Sequence, residues 1–438
     1  MFERIKQVRR NARERIDLTR LLADCRELLT VRGQANSVAI AVDAVDRFSR
    51  LSPEALKRLF HVLADEFNPD PGHVLAMAER YAVTRSPENL IRLTQAADSP
   101  RQELFRRLNR APDATGKLVR LRAQLLDQLR GDKHLAAVDA DLEHLFSSWF
   151  NPGFLHMVQV DWRSPAALLE RIIQHEAVHA IDGWSDLRRR LEPDRRCFAF
   201  FHPALPDEPL IFVEVALVAQ MPDAIAPLLD RSALPLNGKD KHKVAVFYSI
   251  SNCQPGLRGI NLGNFLIKRV AQQLAGEFDS LKSFCTLSPV PGFAAWLTKL
   301  DAIGDPRLKP VQVKALNDSL RNLRQRHGAD LAGLLVADTA LPKDQAALAV
   351  LASYFLRFRS SSPQGETALG ADPVARFHLH NGARLERINC LADRSKKGLR
   401  QSFGLMVNYL YDLEQIENNH ERFVQGEVTA SRQVASLF

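Results

Sequence analysis

Cysteine is scarce in this chain, and the few cysteines that occur are scattered. There are 5 in 438 residues, an odd number, and no two of them form a Cys-x-x-Cys pair. A disulfide framework needs paired cysteines and a zinc ribbon needs closely spaced ones, so neither class of small stapled fold is indicated. We therefore expect a reducing compartment. The cysteines are Cys25, Cys197, Cys253, Cys285 and Cys390.

Long apolar runs are also missing. The longest, such as 209–213 and 346–350, are far shorter than the roughly 20 residues that a membrane-spanning helix needs. The sequence does not open with a charged segment followed by an apolar one, as a secretory signal does. We expect a soluble cytoplasmic protein with no membrane partner.

Charge of either sign is not in large excess. The 59 Lys and Arg residues outnumber the 51 Asp and Glu residues, which gives a net charge of +8. This excess suits an anionic, nucleotide-like ligand as readily as nucleic acid. Several arginines between residues 9 and 15 lie beside glutamates, a pattern more typical of a solvated helix face than of a nucleic-acid arm. We expect no nucleic-acid partner.

Residues 18–148 carry apolar side chains at helical spacing nearly throughout. Three Ser-Pro pairs, which begin at Ser52, Ser86 and Ser99, each place a capping serine before a proline that suits the first helical turn. No fixed repeat length relates these segments, so a helical bundle is favoured over a solenoid. We expect an all-helical domain over 1–149, with amphipathic faces that can pack between subunits.

The helical pattern breaks at residues 149–153, and strand patterns follow at 154–161, 195–201 and 210–217. The most informative stretch is 243–293. It predicts a strand over 244–251, a glycine-containing loop, a helix over 264–278 and a strand over 283–287. Glycines allow a ligand close to the backbone, and a helix start offers free N–H groups. This loop therefore predicts an anion-binding site with Arg258 beside it.

A tempting motif lies in a predicted helix over 166–181. His175 and His179 are four residues apart with Glu176 between them, which is the helical arrangement of zinc proteases. The later glycine and histidine of the metzincin form are replaced by Asp182 and Ser185. Helix residues with one packed histidine explain the motif better, and we expect no metal.

Several blocks in the second half resemble the malonyl-CoA decarboxylase family, and they occur in that family's order. The resemblance extends from about residue 151 to Tyr411, and the helical half is similar, less distinctively, to the family's all-helical domain. The blocks are 247–251, 256–259, 262–270, 287–293 and 373–383.

This resemblance implies an α+β fold. An N-terminal all-α helical bundle over 1–149 would be followed by a GNAT-like α/β catalytic domain over 150–438 with a mixed, mostly antiparallel sheet. The implied activity is decarboxylation of malonyl-CoA to acetyl-CoA and CO₂ without a metal or organic cofactor. The implied partner is a second copy of the chain, in a dimer or tetramer built through the helical domain.

The resemblance also implies the site residues. Ser288 would be the proton acceptor and His378 the proton donor, both in contact with the substrate, with Tyr411 near them. A hydroxyl and an imidazole suit this work because decarboxylation leaves an enolate that needs hydrogen-bond donors and then a proton. Ser249 and Asn381 are weaker candidates. The CoA-binding loop would consist of Arg258, Gly259, Ile260, Asn261, Leu262, Gly263 and Asn264, with Asn261 where acetyltransferases usually have glycine.

Other activities remain open on the residues alone. An acyl-CoA-dependent N-acyltransferase of the GNAT type would use the same loop and transfer an acyl group to an amine. A zinc hydrolase would use His175 and His179. A non-catalytic CoA-binding protein would use the loop without either chemistry.

Overall fold

The computed structural model describes residues 2–31, 36–236, 238, 241–260, 262, 266–336, 341–359 and 372–438. The chain divides into two compact units. What we call the helical unit comprises Met1–Met157, Phe200–Ile211 and Asn252–Leu262. What we call the sheet unit comprises Val158–Ala199, Phe212–Ser251 and Gly263–Phe438.

The N-terminal part of the helical unit consists of amphipathic helices, as the apolar spacing predicts. Ser52, Ser86 and Ser99 each accept a hydrogen bond from the backbone N–H three residues later, which confirms the predicted Ser-Pro caps. The helices are α1 (Phe2–Leu28), α2 (Ser37–Phe48), α3 (Pro53–Glu66), α4 (Pro71–Val83), α5 (Pro87–Ala97), α6 (Pro100–Leu108), α7 (Ala114–Leu129) and α8 (Ala136–Trp149).

A buried ion pair joins three of these helices. Arg101 on α6 donates through Nε to Asp141 Oδ2 on α8 at 2.7 Å. Its Nη1 donates to the carbonyl oxygen of Leu63 on α3, also at 2.7 Å. Because buried charges are tolerated only when they are paired and hydrogen-bonded, this contact fixes the relative positions of the three helices.

Eight strands of the described chain form one sheet in the order β1-β2-β3-β4-β5-β8-β6, and β7 also pairs with β8. An N-terminal helical region followed by a mixed sheet with helices confirms the expected α+β class. The strands are β1 (His156–Val160), β2 (Arg195–Phe201), β3 (Ile211–Val218), β4 (Val244–Asn252), β5 (Ser283–Thr286), β6 (Ser288–Pro289), β7 (Arg384–Asn389) and β8 (Met406–Tyr411).

The later helices connect these strands. None of the described helices is both long enough and apolar enough to cross a membrane. The helices are α9 (Ala166–His175), α10 (Gly183–Arg190), α11 (Ala226–Leu229), α12 (Leu266–Glu277), α13 (Phe293–Lys299), α14 (Pro310–His327), α15 (Pro342–Tyr354), α16 (Pro373–His380), α17 (Lys396–Ser402), α18 (Ile416–Val424) and α19 (Arg432–Ala435).

The end of one strand pair positions Ser288. β4 and β5 run parallel, and their pairing ends at Phe247 opposite Thr286, although β4 continues to Asn252. The residues after β5 no longer pair with β4, but they continue to pair with β8 as strand β6, in which Ser288 lies opposite Val407. β8 is antiparallel to β5, β6 and β7, so this one strand holds three neighbours in register.

The predicted helix over 166–181 is wrong in its second half. Helix α9 ends at His175, and Glu176 has an extended backbone. The Glu176 carboxylate accepts hydrogen bonds from the backbone N–H groups of Val178 and His179, both at 2.8 Å. Such local side-chain bonds compete with helix formation. His175 and His179 therefore do not share a helical face, and the zinc-protease geometry is not formed here.

Candidate active site

Ser288 lies in a two-residue strand whose backbone is restrained on both sides. It is part of β6, paired with β8, and is followed by a Pro-Val-Pro-Gly segment that limits the backbone angles. Its side chain is buried, and its hydroxyl donates a hydrogen bond to Thr286 Oγ1 at 2.9 Å. The strand geometry thus turns the hydroxyls of Thr286 and Ser288 toward the same face of the sheet.

His378 lies in the last turn of a short helix that the sequence analysis missed. Asp372 caps helix α16 by accepting from the N–H groups of Val374 and Ala375 at 3.0 and 2.9 Å. The other oxygen of Asp372 accepts from the N–H of Gly292 at 3.0 Å. The same carboxylate therefore fixes the start of α16 and the segment that follows Ser288.

These elements bring Ser288, His378 and Tyr411 together. The distance from Ser288 Oγ to His378 Nε2 is 2.9 Å, although the two residues are 90 positions apart in the chain. On the other side of the ring, His378 Nδ1 is 2.8 Å from the hydroxyl of Tyr411. All three side chains are buried. Ser288, His378 and Tyr411 form what we call the buried triad.

The hydrogen bonds of the triad assign the position of the imidazole proton. Ser288 has one hydroxyl proton and donates it to Thr286, so toward His378 it acts as an acceptor. Nε2 must then carry the proton of the neutral ring, and Nδ1 accepts from the hydroxyl of Tyr411. The proton of His378 consequently faces Ser288.

Burial keeps this ring neutral. The side chain of His378 is 3% exposed, and desolvation lowers its pKa to about 3. Desolvation also raises the pKa of Tyr411 well above its ordinary value, so its hydroxyl stays protonated. The free protein therefore holds an uncharged imidazole between two hydroxyl groups.

Tyr409 is a neighbour of the triad that the sequence analysis did not single out. Its ring stacks on the imidazole of His378, with centroids 4.7 Å apart and planes inclined by 27°. Its hydroxyl is buried and has no hydrogen-bond partner among the described residues. The signal in the sequence was its spacing, since residues two apart on a strand face the same side and Tyr409 precedes Tyr411 by two.

The two weaker candidates have other contacts. Ser249 Oγ donates to the carboxylate of Glu176 at 2.7 and 2.8 Å, which anchors the segment after α9 to β4. Asn381 Nδ2 donates to the carbonyl oxygen of Phe377 at 2.7 Å, within the end of α16. Among the described residues, no hydrogen bond joins either side chain to the triad. Across the described residues, no group of three or more His, Cys, Asp or Glu side chains is arranged to hold a metal ion.

The predicted CoA-binding loop is described in part. Asn261, Gly263 and Asn264 lie outside the described residues, and helix α12 is described from Leu266. The side chain of Arg258 is exposed, and Gly259 has a positive φ of 87° that favours glycine. Ile260 and Leu262 are buried. The described part of the loop thus exposes a cation and a glycine peptide while its apolar side chains anchor it.

A buried arginine, not predicted from the sequence, lies beneath this loop. Arg122 on α7 donates through Nη1 to the carbonyl oxygens of Gly256 and Arg258, at 2.9 and 2.8 Å. Nothing in the local pattern of α7 indicates this contact, because the two carbonyls are 134 and 136 positions later in the chain.

Comparisons with known proteins cover both halves of the chain. The family described as malonyl-CoA decarboxylase C-terminal domain matches residues 153–438, and the family described as malonyl-CoA decarboxylase N-terminal domain matches residues 67–150. The mitochondrial malonyl-CoA decarboxylase of Anser anser anser is 34% identical over 86% of this chain and 79% of its own length. That of Rattus norvegicus is 36% identical over 76% of this chain and 70% of its own.

Solved structures are also similar. A crystal structure of malonyl-CoA decarboxylase from Rhodopseudomonas palustris superposes with a TM-score of 0.82 at 43% identity, over 95% of this chain and 98% of that one. The corresponding structure from Agrobacterium vitis gives a TM-score of 0.78 at 47% identity, over 95% of this chain and 99% of that one.

Acid should destabilise the protein through His378. Its folded pKa is about 3, whereas an unfolded histidine titrates near roughly 6.5. Between these values the unfolded chain binds more protons, so the free energy of unfolding falls as the pH falls. Between about pH 7.5 and about pH 5 this histidine should account for about 2 kcal/mol of the loss, and His378→Gln should remove that part. Urea unfolding of both proteins at the two pH values measures the difference.

The control for this experiment is His73→Gln, which removes an exposed histidine. It should leave the pH dependence of the unfolding free energy as in the wild type. An equal loss of stability in wild type and His378→Gln would contradict the neutral, buried state of the imidazole.

Proposed function

The chain belongs to the malonyl-CoA decarboxylase family and decarboxylates malonyl-CoA to acetyl-CoA and CO₂, and we propose that Ser288 and His378 carry out this step. The observation that carries the proposal is the contact of 2.9 Å between the buried side chains of Ser288 and His378, from Oγ to Nε2.

The reaction sets clear demands on the protein. The bond between the α-carbon and the carboxylate of the malonyl group breaks, and its electron pair remains on the thioester as an enolate while CO₂ leaves. A proton must then form a new bond to the α-carbon, which gives acetyl-CoA. The reaction consumes one proton overall. It therefore needs hydrogen-bond donors for the enolate oxygen and a proton source close to the α-carbon.

His378 is the proton source on this proposal. Its ring is neutral in the free protein because burial lowers the pKa to about 3. A bound malonyl carboxylate brings a negative charge, and a nearby opposite charge favours the imidazolium form. The proton on Nε2 faces Ser288 and is the one delivered to the α-carbon. The ring takes up one proton from the solvent when the carboxylate binds and returns to its neutral form after this transfer, which accounts for the one proton that the reaction consumes.

Ser288 and Tyr411 complete the arrangement. Ser288 accepts from Nε2, and its hydroxyl can turn from Thr286 to hold the malonyl carboxylate or the thioester oxygen. Tyr411 keeps its proton and bonds Nδ1, which sets the orientation and tautomer of the ring. Its role is that of a positioning residue rather than a proton donor to the substrate.

We further propose that Arg258 and the loop through Asn264 bind the pyrophosphate of CoA. The exposed side chain of Arg258 and the exposed peptide at Gly259, whose φ of 87° suits only glycine well, support this assignment. Guanidinium groups form strong, charge-assisted hydrogen bonds to phosphate oxygens. Anionic groups also favour the positive end of a helix, and α12 follows the loop.

Removal of the two reacting side chains should abolish most activity. His378→Asn and Ser288→Ala should each lower kcat for malonyl-CoA by roughly 10²–10⁴-fold, because proton delivery and carboxylate holding are lost. Tyr411→Phe should lower kcat by about tenfold, because only the orientation of the ring is weakened. Acetyl-CoA formation and CO₂ release measure these rates.

Ser353→Ala is the matched control, since Ser353 is a fully buried serine that bonds the carbonyl oxygen of Val434. It should retain activity near that of the wild type. Undiminished turnover in either Ser288→Ala or His378→Asn would contradict the assigned roles.

Removal of the Arg258 side chain should weaken the binding only of substrates that carry the pyrophosphate. Arg258→Ala should raise KM for malonyl-CoA by about tenfold, through loss of a charge-assisted hydrogen bond. Malonyl-pantetheine lacks the nucleotide portion, so its KM should change little. Steady-state kinetics with both substrates distinguishes the two cases, and equal effects on both would remove Arg258 from the nucleotide end.

We also propose a cytoplasmic location and association of like subunits through the helical domain. Helix α5 supports the second idea, because Leu90 and Ile91 are 45% and 56% exposed and none of its residues is buried. Apolar groups exposed in this way favour a covered surface. Ile91→Glu should shift sedimentation toward a smaller species. Arg92→Glu, which places a glutamate at the next position of the helix and changes the net charge by two units rather than one, should not, and equal sedimentation of all three proteins would contradict the proposal.

A further inference from the structure

The structure places one buried charge directly beneath the loop that contains Arg258. The side chain of Arg122 is 1% exposed, and its Nε donates to Asp139 Oδ1 at 2.8 Å. Its Nη1 donates to two carbonyl oxygens of the loop, those of Gly256 and Arg258. A guanidinium presents its donors in a rigid plane, so both carbonyls are held in one orientation.

The glycines of the loop show how closely it is fitted to the helices. A Cβ atom added to Gly256 would lie 1.8 Å from the carbonyl oxygen of Val119 on α7, so only glycine fits there. A Cβ on Gly259 would lie 3.3 Å from Glu143 Oε1 on α8. Helices α7 and α8 therefore form the surface on which this part of the loop is shaped.

Arg122 also determines where the next amide points. The peptide between Arg258 and Gly259 is planar and trans, so its N–H points opposite to its carbonyl. Because Arg122 holds the carbonyl of Arg258 inward, the N–H of Gly259 is directed away from the buried guanidinium. Gly259 is exposed, and this N–H makes no backbone hydrogen bond with the described residues. It is free to donate to an anion.

We infer that Arg122 is a positioning residue for CoA binding: it holds the peptide plane that turns the Gly259 N–H, and with it Arg258, toward the pyrophosphate. This inference rests on the proposed binding of CoA by the loop. Arg122 itself does not touch the substrate, because its side chain is buried and its donors are engaged by Asp139 and the two loop carbonyls.

The test compares two buried arginines of the same unit. Arg122→Lys keeps the charge but not the planar fork. Arg122→Met combined with Asp139→Asn removes the ion pair with Asp139, and it leaves without a cation only Glu143, a half-exposed carboxylate 3.7 Å from Arg122 Nη2, so no buried charge is left unpaired. Arg101→Lys and Arg101→Met with Asp141→Asn are the matched controls. Among the described residues, none of the hydrogen-bond partners of Arg101 lies in the loop. KM and kcat are measured with malonyl-CoA and with malonyl-pantetheine, and thermal unfolding checks that each variant is folded.

The Arg122 double variant should raise KM for malonyl-CoA by about tenfold, with a much smaller change in kcat and in KM for malonyl-pantetheine. Arg122→Lys should produce a smaller rise, since an ammonium group is a point charge that cannot reproduce the fork. The Arg101 variants should lose thermal stability without this selective rise.

Two results would overturn the inference in distinguishable ways. If Arg258→Ala raises KM for malonyl-CoA selectively but the Arg122 variants behave like the Arg101 variants, the loop binds CoA and Arg122 does not position it. If Arg258→Ala also fails to separate the two substrates, the proposed binding of CoA by the loop fails, and the inference about Arg122 fails with it.

Discussion

The hydrogen bond between Ser288 and His378 depends on a single strand. β8 is paired with β6, which carries Ser288, and it also supplies Tyr411 and Tyr409, which contact His378. The helix that carries His378 is fixed to the segment after Ser288 by one carboxylate, that of Asp372. A short polar contact between distant residues is therefore held from three directions, and its geometry follows from backbone pairing rather than from the side chains alone.

Features of the fold that depend only on neighbouring residues were predicted from the sequence. The Ser-Pro caps at Ser52, Ser86 and Ser99 follow from their own residues, because a cap forms within one helical turn. The strand of Val244–Asn252 and the helix of Leu266–Glu277 follow from apolar runs of the expected period. The residues of the triad came from a family resemblance, since neither Ser288 nor His378 has a local signature of its own.

The parts that were missed depend on tertiary contacts. The helix after His175 was predicted because the spacing continued, but Glu176 bonds the N–H groups of the following residues and the hydroxyl of Ser249, 73 positions later. The hydrogen bonds of Arg122 likewise depend on residues that are distant in the chain. Its partner carbonyls belong to a loop 134 positions away. A charged residue on an amphipathic helix is expected at the surface, and only the tertiary structure shows that this one is buried. The spacing of apolar residues predicts which face of a helix is buried, but it does not predict which polar side chains are buried by contacts with distant parts of the chain.

The burial of His378 has a consequence for the order of events in the proposed reaction. An imidazole whose pKa is lowered to about 3 is uncharged until another negative charge is enclosed with it. Malonyl-CoA supplies that charge in its carboxylate, and acetyl-CoA does not. The proton is therefore held most firmly when there is a carboxylate to lose, and once CO₂ has gone the negative charge remains on the enolate. Transfer of the proton to the α-carbon then neutralises the enolate and the buried imidazolium together, so the desolvation that keeps the free ring neutral favours the final step.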